Sequence, residues 1–158
     1  MILLNPNQPE LPENDARTTE LMRDTIEFFE NKGKKRLVAD YYDRGWYSDF
    51  LDYAKQRRLL ATMCTPAGEG APDARWDTWR VCQFAEILGF YGLQYWYTWQ
   101  VSVLGLGPIW MSDNEALRSR TAEALEGGGI FAFGLSEKTH GADIYSTDMV
   151  LTPDGDGW

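Results

Sequence analysis

The chain has 158 residues and a mass of 18.1 kDa, with 15 Lys and Arg against 24 Asp and Glu and a formal net charge of -9. That length accommodates one domain, or one domain and part of a second, and a fold of this size buries roughly 70% of its unfolded surface without disulfide or metal staples. An acidic chain with a sequence pI near 4.6 lacks the cationic stripe that a phosphate backbone requires, which excludes nucleic acid, and Cys64 and Cys82 alone build neither a disulfide framework nor a zinc site.

The first nine residues carry no basic region and only a brief apolar run, unlike a secretory signal, so a cytoplasmic protein with reduced thiols is expected. Three prolines within residues 1–14 hold their neighbours out of the helical region and predict an extended leader. From Asp15 the pattern turns helical. Met22, Ile26 and Phe29 share one face, Arg23, Asp24, Glu27 and Glu30 the other, and Gly33 suits the C-terminal cap.

A second helix carries Leu37, Val38, Tyr41 and Tyr42 and stops near Gly45. A third is predicted from about Tyr47 to Leu59 with Phe50, Leu51 and Ala54 inward, followed by a loop over Thr65–Pro72. The next begins near Arg75 and Trp76 and runs to about Leu104, where Gly105-Leu106-Gly107-Pro108 is expected to end it. Its second half belongs to a stretch, Ile87 to Ser112, that contains no charged residue. Gln94, Thr98, Gln100, Ser102 and four glycines in that stretch argue for a central buried helix rather than a membrane span. Ser112 with Glu115 has the form of a capping box, and Gly127-Gly128-Gly129 closes the last helix. The pattern is that of an all-helical bundle of about five helices.

After the three glycines, Ile130–Leu135 reads as a short buried strand and Ile144–Thr152 as a second one. Asp154-Gly155 gives a hairpin turn with Trp158 beyond it. A strand without a partner is unstable alone, so residues 1–128 are expected to be a helical domain with the leader 1–14, and 129–158 the incomplete start of a β-domain in a longer protein.

Candidate chemistry is sparse. Ser136, His140 and Asp143 lie too close in sequence to converge as a triad, and no Gly-x-Ser-x-Gly elbow is present. His140 is the only histidine, which rules against a metal centre. The glycine clusters follow helices instead of strands, so there is no dinucleotide fingerprint. Glu123 and Glu126, and Asp113 and Glu115, read as ordinary solvated charge at helix edges. That leaves the run Phe131–Asp143, a strand passing into a loop whose amides, Ser136 hydroxyl and flexible Gly141 could donate to a planar heterocycle or a pyrophosphate.

A helical half followed by Phe133, Leu135, Ser136 and Glu137 and then Gly141, Ala142 and Asp143 resembles the flavin-binding signature of the acyl-CoA dehydrogenase family. The likeness extends back through Gly105–Pro108 and the helix at 113–126. It implies a mainly α fold, the helical N-terminal domain of that family followed by the first strands of its β-barrel-like middle domain. It also implies FAD as cofactor and α,β-dehydrogenation of an acyl-CoA thioester, in fatty acid metabolism, with hydride transfer to the flavin.

By this resemblance Phe133, Leu135 and Ser136 would bond the pyrimidine side of the flavin ring, where donors stabilise the reduced anion. Gly141 and Ala142 would approach the pyrophosphate and the substrate, and the aromatic helix 76–104 would wall the cavity. Lys138 stands where the family often has proline, Thr139-His140 where it has small residues, and Ala142 lacks the hydroxyl many members use. The His140-Gly141 pair is also similar to acyl-CoA oxidases, so the electron acceptor is an electron-transfer flavoprotein or dioxygen.

The catalytic glutamate comes in this family from a C-terminal helical domain outside these 158 residues, and no glutamate here takes its place. Residues 1–158 alone are therefore expected to bind FAD poorly and turn nothing over, and the intact enzyme to be a homodimer or homotetramer. The alternative is a free-standing helical interaction module whose tail adds a strand to a partner's sheet.

Overall fold

The structure, a computed structural model, describes residues 4–7, 11, 14–150 and 152–155. Among these, α1 is Ala16–Lys32, α2 Lys34–Tyr42, α3 Ser48–Gln56, α4 Leu59–Cys64, α5 Thr78–Tyr91, α6 Leu93–Trp110 and α7 Glu115–Glu126. None is long and apolar enough to cross a membrane.

Helix α1 forms as its pattern predicts. The Asp15 carboxylate caps it, accepting from the Thr18 amide at 2.9 Å and the Thr18 hydroxyl at 2.7 Å. Gly33, at φ +76, ends it in a conformation that disfavours any side chain. The buried face carries Leu21, Met22, Ile26 and Phe29, and Phe29 is the hub of the core. Its ring stacks on Tyr91 at 4.6 Å and Phe50 at 5.6 Å, and tilts against Tyr95 at 4.8 Å. Lys32, at the end of α1, ties the next two helices to this core, reaching Asp40 on α2 at 2.9 Å and Asp49 on α3 at 2.7 Å. Its ammonium lies 5.6 Å from the Tyr95 ring centre. Burial works against the charge, but the two carboxylates outweigh it and raise the Lys32 pKa above the ordinary lysine value.

Four expectations about helix boundaries need correction. The helix expected over 47–59 is two, broken at Arg57 and Arg58, where Arg58 takes a left-handed φ of +54. That strained turn is anchored by its own side chain, which grips Glu126 of α7 through Nε and a terminal nitrogen, both at 2.7 Å, and Asp73 at 3.2 Å. Glu126 is therefore not ordinary solvated charge, because the Arg58 hydrogen bonds hold its carboxyl below the usual value.

The long helix expected to run from about residue 75 to 104 is divided at Gly92. Helix α6 folds back on α5, so that Phe84 and Trp99 touch with ring centres 4.7 Å apart. In one continuous helix those residues would be about 22 Å apart at 1.5 Å per residue. The reversal buries Ile87, Leu88, Tyr95 and Trp99 in one core.

Nor does Gly105–Pro108 end the helix. Helix α6 continues to Trp110 with Pro108 in its last turn. Proline leaves the Leu104 carbonyl without its helical donor, but Leu104 is exposed and water can replace it. The cap of α7 is also displaced: Asn114, not Ser112, accepts the Leu117 amide at 3.0 Å, while the Ser112 hydroxyl donates to Ile109.

Residues 130–150 leave the helical unit without forming a strand among the described residues; their one regular piece is a single 3-10 turn at Ile144–Ser146. Gly155, at φ +61, has the positive dihedral that an Asp-Gly turn needs. Leu151 and Asp156–Trp158, which complete the expected second strand and its return, lie outside the described residues.

Candidate functional site

The segment that carries the resemblance is presented by α6. The buried Ser102 hydroxyl donates to the Phe131 carbonyl at 3.0 Å, and the Phe131 amide returns toward the same oxygen at 3.4 Å. One turn along α6, a Cβ on Gly105 would meet the Ala132 carbonyl oxygen at 2.6 Å. Gly105 thus serves as a surface on which the departing chain lies, a role that its reading as a helix terminator missed.

From there the chain opens to solvent. Phe133 and Ser136 are exposed and Leu135 half-buried, and among the described residues the amides of all three lack a hydrogen-bond partner. A Cβ on Gly134 or Gly141 would meet nothing within 4 Å. The expected ring-edge residues therefore lie on one largely exposed strip, held at its root by Ser102.

Residues 137–149 close on themselves. The Glu137 amide donates to the His140 carbonyl at 2.9 Å, and the Glu137 carboxylate accepts from the Thr147 hydroxyl at 2.9 Å and the Asp148 amide at 2.8 Å. His140 lies between two carboxylates, Nδ1 at 2.7 Å from Asp143 and Nε2 at 3.0 Å from Asp148. These bonds raise its pKa above the ordinary 6.5. Asp143 shifts the other way, lowered first by His140 and then by the Gly141 amide, which donates to its second oxygen at 2.8 Å. Ser136 takes no part, so no Ser-His-Asp relay forms. The Gly141 amide, expected to face a pyrophosphate, is committed to a carboxylate, and Ala142 is exposed beside it.

A concavity lies beside Phe29. A groove of about 710 Å³ between α2 and the α5–α6 junction is lined by Phe29, Glu30, Val38, Tyr41, Tyr42 and Tyr91 among others, and the Tyr91 hydroxyl donates to Glu30 at 2.8 Å. Sequence reading placed Tyr41 and Tyr42 on a helix but missed the groove, because it depends on the break at Gly92. No group of His, Cys, Asp and Glu among the described residues is arranged to hold a metal ion. Cys64 is buried, which pushes its thiol pKa up, and Cys82 is exposed.

No family model, curated protein or solved structure matches the chain.

Proposed function

We infer that these residues are the N-terminal part of an FAD-dependent acyl-CoA dehydrogenase, the helical domain followed by the opening of the flavin-binding domain. The observation that supports this reading is the strip Phe133–Ser136, where among the described residues the amides of Phe133, Leu135 and Ser136 are without hydrogen-bond partners beyond the point at which Ser102 holds the chain. Donors are what the carbonyl edge of a flavin's pyrimidine ring requires, so the ring-edge residues fit the cofactor in chemistry. The second half of the expected site does not fit as it stands, because Asp143 occupies the Gly141 amide with the same sign of charge a pyrophosphate carries.

FAD, when bound, accepts the hydride from the acyl thioester's β-carbon. This chain's own contribution is narrower. Leu135, Ser136 and Phe133 orient the ring by donation, and Ser102 and Gly105 fix the strip from which they act. The base that takes the α-proton belongs, by the resemblance, to a domain outside these residues, and the acceptor is an electron-transfer flavoprotein or dioxygen.

The test is to purify the native gene product, measure its denatured mass and identify what it releases on denaturation. A polypeptide well above 18.1 kDa that releases FAD fits the reading. A product of 18.1 kDa that releases no flavin would overturn it in favour of an interaction module.

A further inference from the structure

We propose that His140 is a proton-dependent clasp that holds the 137–148 loop closed and keeps the Gly141 amide on Asp143. A neutral imidazole has one N–H and one bare nitrogen, and only the imidazolium donates from both. Here both ring nitrogens face carboxylate oxygens, which accept and cannot donate while ionised. The geometry can be satisfied only with the ring protonated; loss of the proton turns one of the two contacts into a lone pair facing an anion.

The consequence passes through Asp143, which joins the ring to the backbone. One of its oxygens takes His140 and the other the Gly141 amide. On the far side, Asp148 takes the second ring nitrogen while its own amide is held by Glu137. The two charged groups bonded to the imidazole are thus Asp143 and Asp148. Glu137 is the third carboxylate of the loop, and Lys138 is the cation next to it in sequence. Among the described residues no hydrogen bond or ion pair joins residues 137–149 to a helix, so the closure rests on this imidazole bridge together with the Glu137 bonds to the His140 carbonyl, the Thr147 hydroxyl and the Asp148 amide.

The direction of the pH dependence follows. The His140 pKa lies above its ordinary value, so the clasp is fully formed below that value and is lost as pH rises through the raised one. In the neutral ring that keeps its one N–H on Nε2 toward Asp148, the bare Nδ1 faces Asp143, which turns away and releases the Gly141 amide. The bearing of that release on pyrophosphate binding rests on the flavin reading; the clasp itself does not.

Because His140 is the sole histidine, its ring gives a single set of imidazole resonances, and an NMR titration of the flavin-free chain reads it directly. The expected result is a midpoint above 6.5 that falls in Asp148→Asn. The Gly141 amide should shift with the same midpoint, and its exchange, corrected for base catalysis, should speed up roughly fivefold above it, as for loss of one ordinary hydrogen bond. A second variant, His140→Gln, should abolish the pH dependence of Gly141 while leaving the helical circular dichroism unchanged. A midpoint at or below 6.5, or a Gly141 amide indifferent to His140, would overturn the proposal, whatever cofactor the intact protein carries.

Discussion

The Ser102 hydroxyl donates to the Phe131 carbonyl at 3.0 Å from a fully buried position on α6, and so fixes the point at which the chain leaves the helical unit. Three residues on, Gly105 permits the backbone of Ala132 to lie against the same helix. A polar residue and a glycine in an otherwise apolar helix thus have one shared role, to dock the exit segment.

Removing that dock should loosen the tail before it harms the bundle. Ser102→Ala is expected to cost about 1 kcal/mol, and Gly105→Val about 1–3 kcal/mol because the Ala132 carbonyl is backbone and cannot step aside. Limited proteolysis should show earlier cleavage just after Gly129 in both variants, with thermal unfolding of the helices less affected in Ser102→Ala.

Phe29 carries more of the core than any exposed aromatic. Phe29→Ala should destabilise by about 3–5 kcal/mol in denaturant unfolding, whereas Tyr42→Ala, on an exposed position, should change stability by less than about 0.5 kcal/mol. Equal effects would contradict the placement of the core.

The Arg58 turn predicts a pH dependence. Glu126 has its carboxyl lowered first by hydrogen bonds from Arg58, and Asp73, although desolvation raises it, is also lowered on balance by the same guanidinium. Carboxyls with depressed folded-state pKa values contribute stability above their ordinary values and lose it as pH falls through the folded ones. Between about pH 5 and about pH 3 the wild-type chain should therefore lose more stability than Glu126→Gln, as measured by urea midpoints. Both partners are about one-third exposed, so the pair should be worth no more than about 1 kcal/mol.

Lys32 offers a contrast, since its side chain is mostly buried between Asp40 and Asp49. Lys32→Met keeps the volume but leaves the largely buried Asp40 with only Arg36, an exposed partner at 2.8 Å on its own helix, and should cost about 1–3 kcal/mol. A double variant that also carries Asp40→Leu should recover part of that loss.

What could be read from sequence followed the strength of local signals. Asp15, the α1 face and Gly33 combine a cap, a period and a stop, and the helix forms as expected. The division at Gly92 was hidden because a uniformly apolar stretch has no face to mark where a helix turns back, and only tertiary burial of Trp99 against Phe84 decides it. Pro108 misled because proline's cost depends on whether the orphaned carbonyl is exposed, a property of the fold. At the candidate site, motif order pointed to residues 133–143, but sequence could not show that Asp143 takes the Gly141 amide or that His140 lies between two carboxylates. The second depends on Asp148 returning to the loop from eight residues away.

The most direct test of the flavin assignment is the visible spectrum of the native gene product, recorded without oxygen while an acyl-CoA thioester is added. The account predicts an oxidised flavin band that bleaches with substrate, and a Ser136→Ala variant that holds FAD roughly two- to thirteen-fold more weakly, the worth of one hydrogen bond. A colourless product that gains no flavin band when FAD is supplied, or a flavin that no acyl-CoA reduces, would contradict it.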